Sequence, residues 1–201
     1  MAAINQPHEV ANLALGLIGQ RQLIDSLNED STEAQMAKLY FAPTRDELLA
    51  AWDWRFARAR AVLALTTEER DGWTYCYAAP TGMLAARRIW DGIREPGEGE
   101  RIPFDKELND AGDGHLILTD QPDAALVYTR SLETVALWPQ GFVKAVAAQM
   151  AVYLAGALPV KPGLARTLQP AATLALQQAA AQDAREAQRD PEAEAEAIRV
   201  R

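Results

Sequence analysis

Few residues of this 201-residue chain have the types and spacing that metal chemistry requires. The two histidines, His8 and His115, lack a histidine, cysteine or carboxylate at a convincing metal-ligand spacing. The sequence NDAGDGH places Asp110 and Asp113 beside glycines, as a calcium loop would. It lacks the further oxygen ligands and the terminal bidentate glutamate that calcium needs. We therefore predict no metal site and interpret this segment as a hairpin turn.

Motifs for covalent catalysis or for binding a phosphate cofactor are missing from the sequence. The glycine pairs in GLIGQ and GEGE have neither the lysine nor the strand-to-helix context of a phosphate loop, and no G-x-S-x-G occurs. Cys76 stands between two tyrosines, which is typical of a small core residue in a strand. We predict no catalytic residue and no cofactor.

Carboxylates leave one enzymatic alternative open. A pair suited to glycoside hydrolysis could exist among the 28 acidic residues, although spacing does not select one. The cluster Glu95, Glu98 and Glu100 is better explained as a solvated loop.

Arginines alternate with apolar residues in RFARAR, where they occupy positions 55, 58 and 60. Arg55, Arg58 and Arg60 could be a nucleic-acid patch or the exposed side of a strand. The net charge of −8 disfavours tight DNA binding, because such binding comes from an excess of cationic side chains. A strand with one face in solvent explains the alternation without a ligand.

Four helices are predicted from the periodicity of the apolar residues. The first opens at Pro7 and closes at Gly19, and the second starts near Ser31, after an Asp30–Glu33 capping box, with a kink at Pro43. The last two span about 139–157, which is apolar on most sides, and about 162–188. The third is not apolar enough over 142–158 to cross a membrane, and the N-terminus is not a secretory signal.

Strand patterns are grouped between the second and third helices. They begin at Trp54 and continue with WTYCYA, a short helical turn in PTGMLAARRIW, and extended structure near 88–90. IPFDKEL, HLILT and AALVYTR, separated by turn residues, predict an antiparallel meander. The expected fold class is α+β: mainly a bundle of about four helices, with a small antiparallel sheet near 54–130 inserted between helices two and three.

Domain organisation follows from length and composition. We expect one domain over 1–188 and a charged C-terminal tail over 189–201, which is too poor in large apolar residues to fold alone. One cysteine permits no intrachain disulfide and suits assembly in a reducing compartment.

Four segments, in order, resemble phage tail tubular protein A and related head-to-tail adaptors of short-tailed phages. They are FAPTRDELLAAWDWRFARARAVLAL, YAAPTGMLAARRIW, LILTDQPDAALVYTR and LWPQGFVKAVAAQMAVYLA. In that family a helix with an internal proline ends at a tryptophan-rich corner, followed by a strand with basic alternation. The resemblance covers roughly residues 7–185.

The resemblance implies a structural virion protein of the phage neck and tail, assembled in the host cytoplasm. About twelve copies would form a ring between the portal protein and the tail nozzle protein, with the genome passing through the lumen without specific binding and no membrane involved. The arginine row would then serve strand solvation or subunit contacts. The alternatives are a cell-wall glycan hydrolase associated with a phage tail, and a cellular helical scaffold protein.

Two structural expectations concern particular residues. Trp52 and Trp54 are predicted to bury their rings at the corner between helix and strand. Members of the resembling family use terminal segments to reach ring neighbours. The expected partner interface therefore comprises Arg185, Arg189, Ile198, Arg199 and Arg201.

Overall fold

The computed structural model describes residues 4–92 and 101–186. In these ranges four helices flank seven strands, which form two antiparallel sheets in an α+β arrangement. The chain divides into two compact units, of which the helical unit comprises Met1–Leu48 and Thr134–Arg201, and the sheet unit comprises Leu49–Glu133. The expectation of a mainly helical bundle with one small inserted sheet is wrong, because the strands form two sheets with a core cluster of their own.

The helical unit is organised around its third helix. Its helices are α1 (Pro7–Leu17), α2 (Thr32–Ala51, whose last residues belong to the sheet unit), α3 (Gln140–Ala157) and α4 (Leu164–Arg185). Both α1 and α4 pack against α3. Because α3 has apolar residues on most sides, it buries Phe142, Met150 and Leu154 among others. The predicted central position of this helix is confirmed.

Stacked rings join α2 to the start of α3 within the helical unit. Phe41 stacks on Trp138 with 5.9 Å between ring centroids, and Trp138 meets Phe142 edge to face at 5.2 Å. Tyr40 of α2 stacks on Tyr153 of α3 at 5.7 Å. Pro139 precedes the first helical residue as the N-cap of α3, one position before the helix start predicted for it, and the ring pairs pack its neighbours Trp138 and Phe142.

The start of α2 differs slightly from the predicted cap. The Ala34 N–H donates to Ser31 Oγ at 3.2 Å, so Ser31, rather than Asp30, caps the helix. The helix is continuous through Pro43, as predicted.

The sheet unit contains seven strands. They are β1 (Arg58–Val62), β2 (Ala64–Leu65), β3 (Tyr75–Ala78), β4 (Met83–Trp90), β5 (Asp105–Leu108), β6 (His115–Thr119) and β7 (Ala125–Arg130). One sheet has the order β1-β7-β4 and the other β2-β3-β6-β5. The predicted hairpin of β5 and β6 is confirmed, but the three-strand meander is wrong because β7 joins the other sheet.

The chain crosses from one sheet to the other at Leu63 and again at Ala124, and the backbones of these two residues are hydrogen-bonded to each other. The Leu63 N–H donates to the Ala124 carbonyl at 2.8 Å, and the Tyr77 hydroxyl donates to the Gln121 carbonyl at 2.9 Å. Leu63, Tyr77 and Ala124 also belong to one buried cluster with Ile117 of β6. Both sheets contribute residues to this core, and a local turn signal does not reveal that β6 and β7 belong to different sheets.

Two local predictions in this unit need correction. Residues Arg55–Ala57 form a 3-10 turn, so the strand predicted from Trp54 starts at Arg58. Met83–Trp90 is strand throughout, and no helical turn occurs in it. Pairing with β7 outweighs the helix propensity of its alanine, leucine and arginine residues.

Candidate functional site

The residues with possible metal chemistry have structural roles in the hairpin of β5 and β6. The backbone N–H groups of Asp113 and Gly114 donate to Asn109 Oδ1 at 3.1 and 3.0 Å, and Asn109 Nδ2 donates to Asp113 Oδ1 at 2.8 Å. The His115 ring lies 3.3 Å from the Glu107 carbonyl oxygen. Within 4–92 and 101–186 no group of three or more potential ligands could hold a metal ion. The acidic cluster Glu95, Glu98 and Glu100 lies outside the described residues.

Cys76 is buried on β3 beside Leu116 and Leu118. Burial raises the pKa of its thiol, which keeps it protonated and weakly nucleophilic at neutral pH.

Arg70 is the centre of a charged cluster at the turn end of the β5–β6 hairpin. Its guanidinium contacts Glu68 at 3.0 Å, Glu107 at 3.1 Å and Asp110 at 2.9 Å. Desolvation lowers the pKa of Arg70, but the three carboxylates outweigh it and the pKa rises. These ion pairs join the loop before β3 to the hairpin, so the cluster is structural.

Arg87 on β4 binds the end of α2. Its Nη2 atom donates to the carbonyls of Ala50 at 2.9 Å and Trp52, and its Nε donates to Thr129 Oγ1 at 2.8 Å. Helix C-termini leave carbonyls without intrahelical partners, and a guanidinium supplies donors for them. Burial lowers the pKa of Arg87, with Asp53 opposing that effect. This arginine therefore ties β4 and β7 to residues 50–52 within the sheet unit.

The predicted arginine row does not form one uniform strand face. Arg55 lies in the 3-10 turn, whereas Arg58 and Arg60 lie on β1. Arg58 makes a bidentate pair with Asp53, with distances of 3.1 Å from Nε and 2.8 Å from Nη2. Arg60 is exposed, and its guanidinium carbon lies 4.4 Å from the centroid of the Trp90 ring.

Arg88 approaches the same ring from β4, at 5.0 Å. Arg60 and Arg88 both face Val127 of β7 in the sheet register, so the three residues form one cross-strand row. Trp90 lies two residues beyond Arg88 and on the same face. The result is an open groove of about 230 Å³, lined by Arg58, Ala59, Arg60, Arg88, Trp90 and Val127, which we call the arginine groove.

A second open groove lies in the helical unit, and five of its eight lining residues have apolar side chains. It has a volume of about 620 Å³ and is lined by Leu17, Ile18, Gly19, Gln20, Pro159, Val160, Lys161 and Leu164; we call it the apolar groove. It forms where α1 ends, at Gly19 with φ of 82°, next to the segment that joins α3 to α4. Leu17 is 50% exposed there.

The predicted corner residues differ in environment. Trp54 is 1% exposed and contacts Phe56 with 5.6 Å between ring centroids. Trp52 is 46% exposed, so the expectation of two buried rings applies to Trp54 alone. Since α2 ends at Ala51 and a bend follows, the two tryptophans do not lie on one face of a regular element.

Of the predicted tail contacts, Arg185 lies in the last turn of α4 and is exposed. Arg189, Ile198, Arg199 and Arg201 lie outside the described residues.

Comparison with protein-family models gives no match, and comparison with curated proteins gives no significant one. Among the described helices, none has both the length and the apolar character that crossing a membrane requires.

The sequence prediction missed β4 as a contributor to a site. Extended structure near 88–90 was predicted, and it places Arg88 and Trp90 on one face because side chains alternate along a strand. What the prediction lacked was the pairing of this strand with β7, which brings Arg60 to the same ring. The apolar groove carried no comparable signal, since its halves are about 140 residues apart in the chain.

Proposed function

We propose that this protein is a structural head-to-tail adaptor, resembling phage tail tubular protein A, that forms a ring between portal and tail nozzle. The ring encloses a lumen for the genome, and the chain has no catalytic activity. The proposal rests on the resemblance in four ordered segments and on one structural observation. That observation is the presence of two open grooves of different chemistry, one in each compact unit.

Two different contact surfaces on one chain suit a ring. A closed ring of identical subunits uses heterologous contacts, in which one surface of each subunit meets a different surface of the next. The apolar groove presents the half-exposed Leu17, which a neighbouring subunit could bury. The arginine groove supplies a cationic surface in a chain with eight excess negative charges, so it complements the rest of the molecule.

The acidic balance also fits the proposed lumen. A channel wall with many uncompensated cations would hold phosphates and slow the passing DNA. In this chain Arg58 and Arg70 are paired with carboxylates, which lowers their attraction for a polyanion.

The size of the purified protein, with and without the portal protein of the same phage, tests this function. Light scattering after size exclusion and negative-stain electron microscopy should reveal a ring of about twelve copies, or a portal-bound complex. Leu17→Gln in the apolar groove should weaken assembly. Leu174→Gln changes a similarly exposed leucine of α4 outside that groove (52% against 50% exposed) and serves as its control.

A protein that stays monomeric and does not bind the portal protein would contradict the proposed adaptor function. If such a monomer also cleaved cell-wall glycan, and one carboxylate substitution abolished the cleavage, the hydrolase alternative would replace it.

A further inference from the structure

We infer that the arginine groove binds the acidic segment 192–197 from the C-terminus of a second copy of this chain. This inference deepens the proposed function, on which its choice of a second copy rests, because it names one contact between neighbouring subunits. The segment reads EAEAEA, so Glu192, Glu194 and Glu196 alternate with alanine. It lies outside the described residues, and the groove is its proposed binding site.

The groove concentrates positive charge around one aromatic ring. The guanidinium groups of Arg60 and Arg88 lie 4.4 and 5.0 Å from the centroid of Trp90. The ring attracts each cation, but the two cations repel each other. Asp91 forms an ion pair with Arg88 at 3.9 Å, so a further carboxylate would join an existing charged cluster. A carboxylate bound between the two guanidiniums would offset their repulsion and accept bidentate hydrogen bonds.

The spacing of charges on the two segments corresponds. In an extended chain, alternate residues point to the same side and lie about 6.6–6.8 Å apart. Arg58 and Arg60 have this relation on β1, and the glutamates of 192–197 would have it when extended. Each segment carries alanine between its charged residues, which allows two backbones to approach closely.

The position of β1 favours an added peptide. Among the described residues β1 pairs with β7 only, so it is an edge strand of the sheet β1-β7-β4. No described strand lies beyond β1, so an extended peptide can cross this edge to reach the groove on the face of the sheet. The exposed Val62 at the end of β1 offers an apolar contact for Ile198, which follows the glutamates.

A nucleic acid fits this groove less well than a peptide. The chain as a whole has 28 acidic and 20 basic residues. A short run of carboxylates needs few cations, whereas a nucleic acid gains affinity from many.

The tail is long enough to reach another subunit. Fifteen residues, 187–201, follow the described end of the chain, and an extended segment of that length spans about 50 Å. The glutamates therefore need not bind close to their own α4.

Binding of a fluorescent peptide with residues 188–201 tests the contact by anisotropy. The acceptor is the full chain carrying Glu192→Gln, Glu194→Gln and Glu196→Gln, so that its own tail does not compete. Adding Arg60→Gln and Arg88→Gln to that acceptor should weaken peptide binding by about tenfold or more. Arg130→Gln, which alters an exposed arginine of the same sheet outside the groove, should change it by less than about twofold.

Two peptide controls test the pairing. A peptide of the same composition with its three glutamates adjacent should bind more weakly, because neighbouring side chains of an extended peptide point to opposite sides and fewer glutamates can then face the groove. A peptide with arginines at 192, 194 and 196 should bind the acceptor that carries Arg60→Glu and Arg88→Glu, because both charges of the pair are reversed. Such binding would also show that this acceptor is folded. Equal binding of the regular and rearranged peptides would overturn the inference, as would tighter binding of a single-stranded oligonucleotide that displaces the peptide.

Mixing two full-length variants distinguishes a second copy from the same chain. One variant carries Arg60→Glu and Arg88→Glu with its tail intact, and the other has an intact groove with the three glutamines. At concentrations where each is monomeric, the mixture should sediment as a larger species. If the peptide binds but no larger species forms, the tail binds its own chain and the second-copy assignment fails.

The two proposals fail separately. If the protein forms rings but the peptide does not bind, the proposed tail contact is wrong and the adaptor function is retained. If the peptide binds but the protein forms only dimers and does not bind the portal protein, the tail contact is retained and the adaptor function is rejected.

Discussion

Arg87 lies on β4 and donates to main-chain carbonyls at the end of α2 and to the buried Thr129 hydroxyl. A lysine there would keep the charge but lose the planar fork that reaches several acceptors together. At the scale of single residues, the corner between helix and sheet thus depends on this arginine and on the buried ring of Trp54.

Replacing Arg87 should destabilise the protein because the oxygen atoms that accept its hydrogen bonds would lose their donor. We expect Arg87→Met to lower the free energy of unfolding by about 2–3 kcal/mol, because carbonyls and a buried hydroxyl lose charged donors. Arg130→Met, an exposed arginine at the end of β7, should change it by less than about 0.5 kcal/mol. Urea unfolding monitored by circular dichroism gives both values, and equal losses would refute the bracing role of Arg87.

The two corner tryptophans should respond differently to truncation. Trp54→Ala removes a fully buried side chain, so we expect a loss of about 3–5 kcal/mol in the free energy of unfolding. Trp52→Ala removes a half-exposed one and should cost less than about 1 kcal/mol. Thermal and urea unfolding of the two variants measure the difference, and a Trp54 variant with unchanged melting would show that its ring contributes no packing.

Only part of this corner could be predicted from sequence. A tryptophan-rich junction after a helix indicated buried aromatic rings, and one of the two is buried. Which one depends on the bend after Ala51 and on the direction in which the chain enters β1. The partners of Arg87 lie some 35 positions away, so no local pattern links them.

At the scale of elements, side chains at strand ends help to hold neighbouring strands in register. Asp120 follows β6, and its Oδ1 accepts from the backbone N–H of Thr74 at 2.9 Å and from its hydroxyl at 2.7 Å. The pair extends the ladder of β3 and β6 by one step beyond Tyr75 and Thr119.

The contribution of Asp120 should depend on pH. Its hydrogen bonds with Thr74 lower the pKa of Asp120 below the usual value of 3.8, so the folded state favours the carboxylate. The resulting stability is fully present above the unfolded pKa and is lost as the pH falls through the lowered folded pKa. Asp120→Asn should therefore melt at a lower temperature than wild type at pH 7, and the gap should shrink below about pH 3.8.

Melting curves between pH 7 and pH 2.5 provide the measurement, with Asp71→Asn, an exposed carboxylate of the loop before β3, as control. A gap that is the same at every pH would mean that the Asp120 carboxylate has no role in the effect.

At the scale of the whole molecule, the helical and sheet units each bear an open groove, and the tail follows the helical unit. That tail contains four of the residues expected at the partner interface: Arg189, Ile198, Arg199 and Arg201. We expect the tail to contribute to partner binding rather than to folding. Few large apolar residues occur after Asp190, so the tail adds little to either core.

Truncation after Asp190 should separate folding from assembly. We expect the melting temperature of the truncated chain to stay within about 1 °C of wild type, because surface changes away from the core cost little. Self-association and portal binding should weaken, as measured by sedimentation velocity and by co-elution with the portal. A tail of equal length with shuffled residues 191–201 controls for bulk, and undiminished assembly of the truncated chain would refute a role for the tail.

The helices and the β5–β6 hairpin were determined by the sequence alone, because their signals are local. Caps, prolines and a 3.6-residue period act within one helix, and Asn109 with its glycines closes the hairpin within a few residues. The tertiary structure decided the assignment of strands to two sheets, the extended form of β4, and the meeting of Arg60 and Arg88 at Trp90. Strand pairing joins residues far apart in the chain, and the burial of a shared core, rather than a local preference, determines which pairs form.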